Sequence, residues 1–194
     1  VWVSLCVVLL ACTAVFLRFE RKPADAKRLI LIAAMTALSV LGRILFAPIP
    51  SFKPVTAMVV ITAMYFGSEA GFLTGALSAI LSNIWFGQGA WTPFQMFAWG
   101  FVGFLAGLLA SPLKKSRLLL AVYGVLSGVL YSFLMDIWTV LFMDGYFNLP
   151  RYLAAIISAA PVTATYAVSN VIFLLLLAPP IGRILTRIKP KYAL

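Results

Sequence analysis

Two buried charges and one loop of amides and aromatics are where this sequence could do chemistry. Arg43 and Asp136 each sit inside a long apolar run, and FGQGAWTPFQ, from Phe86 to Gln95, sets Gln88 and Gln95 close to Trp85, Trp91 and Trp99. A charge in lipid is costly, so each should face a partner or a cavity. Gly87, Gly89 and Pro93 fix the backbone of the loop, and Asn83, Gln88, Gln95 and Asn148 supply directional hydrogen-bonding groups. Sites for small molecules are mostly apolar walls with a few placed polar groups, which fits binding better than bond-making. There is no histidine and there are only five acidic residues, so the usual general base and commonest metal ligand are missing. No phosphate loop, redox cysteine pair or zinc motif is present. The expectation is a binding protein, not an enzyme, with no metal and no covalently bound cofactor.

The elements that must hold these residues are membrane helices. Of 194 residues 63% are hydrophobic and 10% charged, against roughly a quarter charged in soluble domains. All-round apolar runs suit lipid, where a helix satisfies its own backbone. The predicted fold class is an all-α integral membrane protein. Residues 1–19 read as an extra N-terminal transmembrane helix, the alternative being a processed or appended segment, and residues 20–28 as a basic cytoplasmic linker broken at Pro23. A six-helix membrane domain is expected over residues 29–180, with helices at about Leu29–Phe46, Val55–Phe66, Phe72–Phe86, Gln95–Pro112, Leu118–Met143 and Tyr152–Leu177. Pro179 and Pro180 are expected to stop the last helix, leaving residues 181–194 as a basic cytoplasmic tail. Cys6 and Cys12, six apart on one apolar run, suggest neither a disulfide nor a metal pair.

A formal net charge of +10 could suggest nucleic acid, but the cations sit in a few short loops. Arg18, Arg21, Lys22, Lys27, Arg28, Lys114, Lys115, Arg117, Arg183, Arg187, Lys189 and Lys191 fall on one side; only Arg43, Lys53 and Arg151 fall on the other. Cytoplasmic loops collect lysine and arginine, so the C-terminus is expected in the cytoplasm and the loops IPSFKP, FGQGAWTPFQ and DGYFNLPR outside. No nucleic-acid partner is expected.

The outer loops carry aromatics and amides that the inner ones lack. Candidate ligand-binding residues are Arg43, Phe52, Lys53, Asn83, Trp85, Gln88, Trp91, Gln95, Trp99, Asp136, Tyr146 and Asn148. For any single aromatic the competing explanation is the interfacial belt. Arg43 lies about 15 residues and Asp136 about 18 from the cytoplasmic ends of their helices, depths of roughly 23 and 27 Å. An Arg43–Asp136 ion pair bracing the pocket floor is therefore expected; the alternative is that Arg43 snorkels to headgroups and Asp136 bonds locally. Asn170 reads as helix-to-helix glue, and Glu69 as a solvated turn residue. Small residues recur four apart at Ala33/Ala37, Gly71/Gly75, Gly103/Gly107 and Gly124/Gly128, and such pairs let helices approach closely. Most should serve packing within the bundle, whereas Ala33 and Ala37 suit docking of a second protein.

Together the six-helix core, Ala33-x-x-x-Ala37 and KPVTAMVVITAMYFGSEAGFLTGALSAILSN resemble the substrate-binding (S) component of energy-coupling factor (ECF) vitamin transporters. The segment GQGAWTPFQMFAWGFVGFLAGLL is similar to a subgroup with cobalamin-type ligands. The resemblance covers about Ala26 to Pro190 and leaves out Val1 to Lys22. It implies a bacterial or archaeal plasma-membrane protein that captures a vitamin outside, with cobalamin or a related corrinoid as the expected substrate; the aromatic mouth would equally permit folate, riboflavin or a queuosine precursor. It also implies docking, through Ala33 and Ala37, on an ECF transmembrane coupling subunit driven by two cytoplasmic ATPases, in keeping with the missing phosphate loop. A stand-alone secondary transporter of a small organic solute is the alternative; it would call for internal repeats, and none is evident. A membrane enzyme or a purely structural subunit fits the polar outer loops less well.

Overall fold

The computed structural model describes residues 2–20 and 26–191, which form eight helices and no strand. In chain order these are α1 (Trp2–Glu20), α2 (Ala26–Leu45), α3 (Val55–Phe66), α4 (Ser68–Phe86), α5 (Thr92–Leu108), α6 (Ala110–Lys115), α7 (Arg117–Asp144) and α8 (Leu149–Lys191). Of these α2, α7 and α8 are long and apolar enough to cross a membrane, while α3 and α5 are shorter apolar helices.

The short α3 is the hub. Every residue from Val55 to Met64 is buried, as its largely apolar sequence demands, and α2, α4, α5 and α8 close around it. Its core contacts run through Met58, Ile61 and Met64 to Val102, Leu113, Leu120 and Leu174. Gly67 alone joins α3 to α4: its φ of +89° is open to glycine without penalty. Helix α4 thus begins at Ser68, four residues before the sequence-based expectation at Phe72.

The glycine pairs act where the hairpins are tightest. A Cβ on Gly71 would fall 2.7 Å from Gly103 O, one on Gly103 would meet the Gly71 backbone, and one on Gly107 would meet Ser68. The Gly71/Gly75 and Gly103/Gly107 rows therefore face each other across α4 and α5. Gly128 plays the same part between α7 and α8, where an added Cβ would lie 2.8 Å from Ala167 N. Helix α1 lies along α4 and α5, with Cys12 buried beside Val8, Phe72, Ala76 and Phe94.

Two predicted boundaries are corrected. The run expected as one helix over Gln95–Pro112 is split at Leu109 into α5 and the short α6, and Ser116 Oγ accepts from Leu119 N to start α7. The larger correction is α8, which does not stop at Pro179–Pro180 but continues to Lys191 over 43 residues. Each proline removes one i→i−4 bond. Burial offsets that loss, since Ala178 and Leu185 join the cluster of Leu31, Met35 and Leu120, and Gly182 lets α8 close on the Tyr65 hydroxyl.

Gly103→Val should overpack the α4–α5 seam and cost about 1–3 kcal/mol, read as a lowered midpoint of thermal unfolding in detergent. An unchanged midpoint would mean that the seam is looser than the geometry shows.

Candidate ligand-binding site

On the side of the bundle with few cations, the α2–α3 loop packs on Ser169 and Phe173 of α8. Beneath it lies a cavity of about 80 Å³ walled by Arg43, Lys53, Trp99, Tyr131 and Tyr166, with Ser51, Thr56, Gln95 and Asn170 as further polar lining.

The charged wall is Arg43. It belongs to the last turn of α2, whose sequence carries it inward on the face of Thr36 and Ser39. Its Nη1 donates to Asn83 Oδ1 at 2.8 Å and to Ser82 Oγ, both on α4. Its guanidinium lies 4.6 Å from the Phe86 ring centroid and 5.1 Å from that of Trp99, so cation–π attraction replaces part of its lost hydration. Asn83 Nδ2 passes the contact on to Gln95 Oε1 at 2.8 Å and Thr92 Oγ1 at 3.0 Å, and Gln95 Nε2 donates to the Tyr131 hydroxyl at 2.9 Å. One continuous hydrogen-bonded chain therefore links α2, α4, α5 and α7.

The aromatic wall stands on the same network. Trp99 stacks on Tyr131 with centroids 5.1 Å apart and planes 16° apart, and Tyr166 meets Tyr131 edge-on at 5.2 Å. The roof is tied down twice. Lys53 Nζ donates to the carbonyls of Phe46, Ala47 (3.2 Å) and Ile49 (2.7 Å). Lys53 N–H donates to Ser169 Oγ at 3.0 Å, and that hydroxyl returns a bond to Lys53 O at 3.2 Å. Desolvation, and then the nearby Arg43, hold the Lys53 amine below its ordinary pKa. Phe46, Phe52 and Phe173 pack mutually at 4.9–6.0 Å and pin the roof to α8 from the other side.

A protein-family model, ECF-type riboflavin transporter, S component, matches residues 24–187, which takes in the helices from α2 through nearly all of α8. The chain belongs to this family of S components. It is accordingly a multi-pass membrane protein of a transporter family. Searches of curated proteins and of solved structures returned no match. The family is the expected one; the cobalamin-type subgroup finds no support in it.

Of the candidate residues, this S component brings Arg43, Lys53, Gln95 and Trp99 to the cavity, with Asn83 immediately behind Arg43 and Phe52 holding the roof. The others lie elsewhere. Trp85 is 71% exposed on α4, Gln88 donates to Ile80 O, and Trp91 meets Trp138 edge-on at 6.1 Å. Tyr146 is exposed, and Asn148 bonds Asp144, which also pairs with Arg151 at 2.7 Å. The expected Arg43–Asp136 ion pair does not form. Arg43 shares the cavity wall with Tyr131 of α7, and Asp136 lies five residues further along that helix, roughly 7.5 Å at 1.5 Å per residue and on another of its faces. Asp136 Oδ2 is buried without a hydrogen-bond partner. Ser51, Thr56, Tyr131 and Tyr166 were not singled out from sequence; a tyrosine within an apolar run looks the same whether it faces lipid or a cavity. Asn170 fulfils its expected role, donating to Gly124 O and Ser127 Oγ at 3.3 Å, and also reaches the cavity. Ala33 and Ala37 lie exposed on α2.

A double-mutant cycle with Arg43→Gln and Asp136→Asn should be additive within about 0.5 kcal/mol in thermal unfolding. By contrast Asn83→Leu, which leaves Gln95 Oε1 without its donor and Arg43 with Ser82 as its one hydrogen-bond acceptor, should cost about 1–3 kcal/mol for a buried group left unpaired. Strong coupling in the first cycle would restore the ion pair.

Proposed function

We propose that this S component binds riboflavin, or a flavin of the same ring system, in the cavity beneath the α2–α3 loop. The observation that carries the proposal is the family match over residues 24–187, whose description names riboflavin. The site's chemistry supports it. A flavin joins a flat tricyclic ring to a chain of hydroxyls, and this cavity sets the Trp99–Tyr131–Tyr166 rings beside Arg43, Gln95, Ser51, Thr56 and Asn170. Aromatic rings prefer offset-stacked or edge-on partners, and the amides and hydroxyls can be shared with a polyol. Sites for compact organic ligands run to about 300–1,000 Å³, so the ligand must lift the loop and part the aromatic wall to enter.

In this proposal capture occurs on the outer face and the C-terminus is cytoplasmic, as the asymmetry of lysine and arginine suggests. The exposed Ala33–Ala37 face of α2 docks on a membrane coupling subunit driven by two ATPases. The chain itself supplies binding and no hydrolysis.

Titrating the purified chain into riboflavin while following flavin fluorescence should give saturable, stoichiometric quenching without ATP. Tyr166→Ala should weaken binding at least about tenfold, in the range of lost aromatic anchors, and Trp85→Ala less than about twofold, as expected of a near-neutral position. Cobalamin should not compete. Binding of cobalamin in calorimetry, with no quenching by riboflavin, would return the ligand to the corrinoid class.

A further inference from the structure

A large concavity lies at the opposite, basic end, where α3, α6, α7 and the extension of α8 converge. It encloses about 570 Å³, and its rim carries Lys114, Lys115, Arg117, Arg183 and Arg187. Among the described residues, no acidic side chain lines it. All five cations are exposed, and Lys114 Nζ stands 4.6 Å from the Tyr65 ring centroid. The floor is of another kind: Met64, Leu113, Leu120 and Ala178 are buried apolar residues that also face the cleft.

Two features of the fold make this cleft. The break at Leu109 turns α6 so that Lys114 and Lys115 lie beside the start of α7, which brings Arg117. Passage of α8 through Pro179–Pro180 carries Arg183 and Arg187 to the facing wall. Had the helix ended at the prolines, the cleft would have one wall.

We propose that this cleft is a binding site for the phosphate diester of an anionic phospholipid, headgroup against the cationic rim and glycerol backbone on the apolar floor. Lys115, Arg117, Arg183 and Arg187 crowd one hollow, and a basic pocket between helices at a membrane surface suits an anionic headgroup. The apolar floor favours a lipid over free phosphate, which would leave it wet. This site is separate from the ligand cavity and does not rest on the flavin proposal.

The test is native mass spectrometry of the full chain released from nanodiscs of phosphatidylcholine with one-fifth phosphatidylglycerol. Bound phosphatidylglycerol should exceed its share of the bilayer. Arg183→Gln with Arg187→Gln should lower that preference about thirtyfold, at roughly fivefold per cation, while Arg183→Lys with Arg187→Lys should retain it. Lys27→Gln with Arg151→Gln, an equal loss of charge outside the cleft, should retain it too. Absence of a preference in the wild-type chain would overturn the proposal, as would equal loss in the control pair, which would mean general surface attraction. Displacement of the lipid by millimolar inorganic phosphate would overturn the lipid assignment in favour of free phosphate. Helical circular dichroism of each variant separates loss of the site from loss of the fold.

Discussion

Arg43 is the constraint that organises the ligand-binding end of the bundle. A guanidinium within an apolar bundle is tolerated only with hydrogen bonds and compensating charge or π-density around it. Here the compensation is neutral. Ser82 and Asn83 accept from it, and Phe86 and Trp99 face it. Because Asn83 spends its oxygen on Arg43, its amide is aimed at Gln95 and Thr92, and Gln95 in turn is aimed at Tyr131. The orientation of each polar group fixes the next, and the Trp99–Tyr131 stack is set at the end of that chain. A cation satisfied by an acid would have been neutralised. Held by neutral groups, Arg43 keeps its charge at the cavity wall, available to a ligand's carbonyl or ring nitrogen.

That same argument shows what was legible in the sequence. Depth along a helix can be counted from residue numbers, so Arg43 and Asp136 were correctly read as polar residues in apolar runs. Which residues meet across the bundle cannot be counted, and the predicted ion pair failed because Tyr131, not Asp136, is the α7 residue that shares the cavity with Arg43. Asn83, Gln95 and Trp99 stood out because amides and indoles in an apolar run between glycines have few other uses. Tyr131 and Tyr166 did not, since lipid-facing tyrosines share their composition. Asn148 and Trp91 were chosen for loop chemistry, yet Asn148 ties its own turn to Asp144 and Trp91 packs on Trp138. The glycine rows were legible because an added Cβ at close approach has one physical consequence everywhere.

Proline was the misleading signal. Pro179–Pro180 carries the strongest local stop in the chain, and local propensity argued for a tail. The two missing donors are local costs, whereas Leu185 and Gly182 bring tertiary contact with α2 and Tyr65. A helix through lipid already satisfies most of its backbone internally, so continuing past two defects is cheaper than unravelling near the membrane.

The roof of the cavity shows why the closed arrangement persists. Lys53 gathers three carbonyls of its own loop, and one of them, Phe46 O, also accepts from Ile49 N at 3.1 Å. Its backbone is held by one hydroxyl, Ser169, in two bonds. The loop is thus internally rigid but joined to α8 by a small number of contacts, chiefly that hydroxyl and the Phe46–Phe52–Phe173 cluster. A lid built in this way moves as one body. Under the proposed function, opening costs the Ser169 bonds, the Ser51–Tyr166 hydrogen bond and the aromatic contacts. The cavity of about 80 Å³ is, in that proposal, the closed position of the loop and ligand entry its open one.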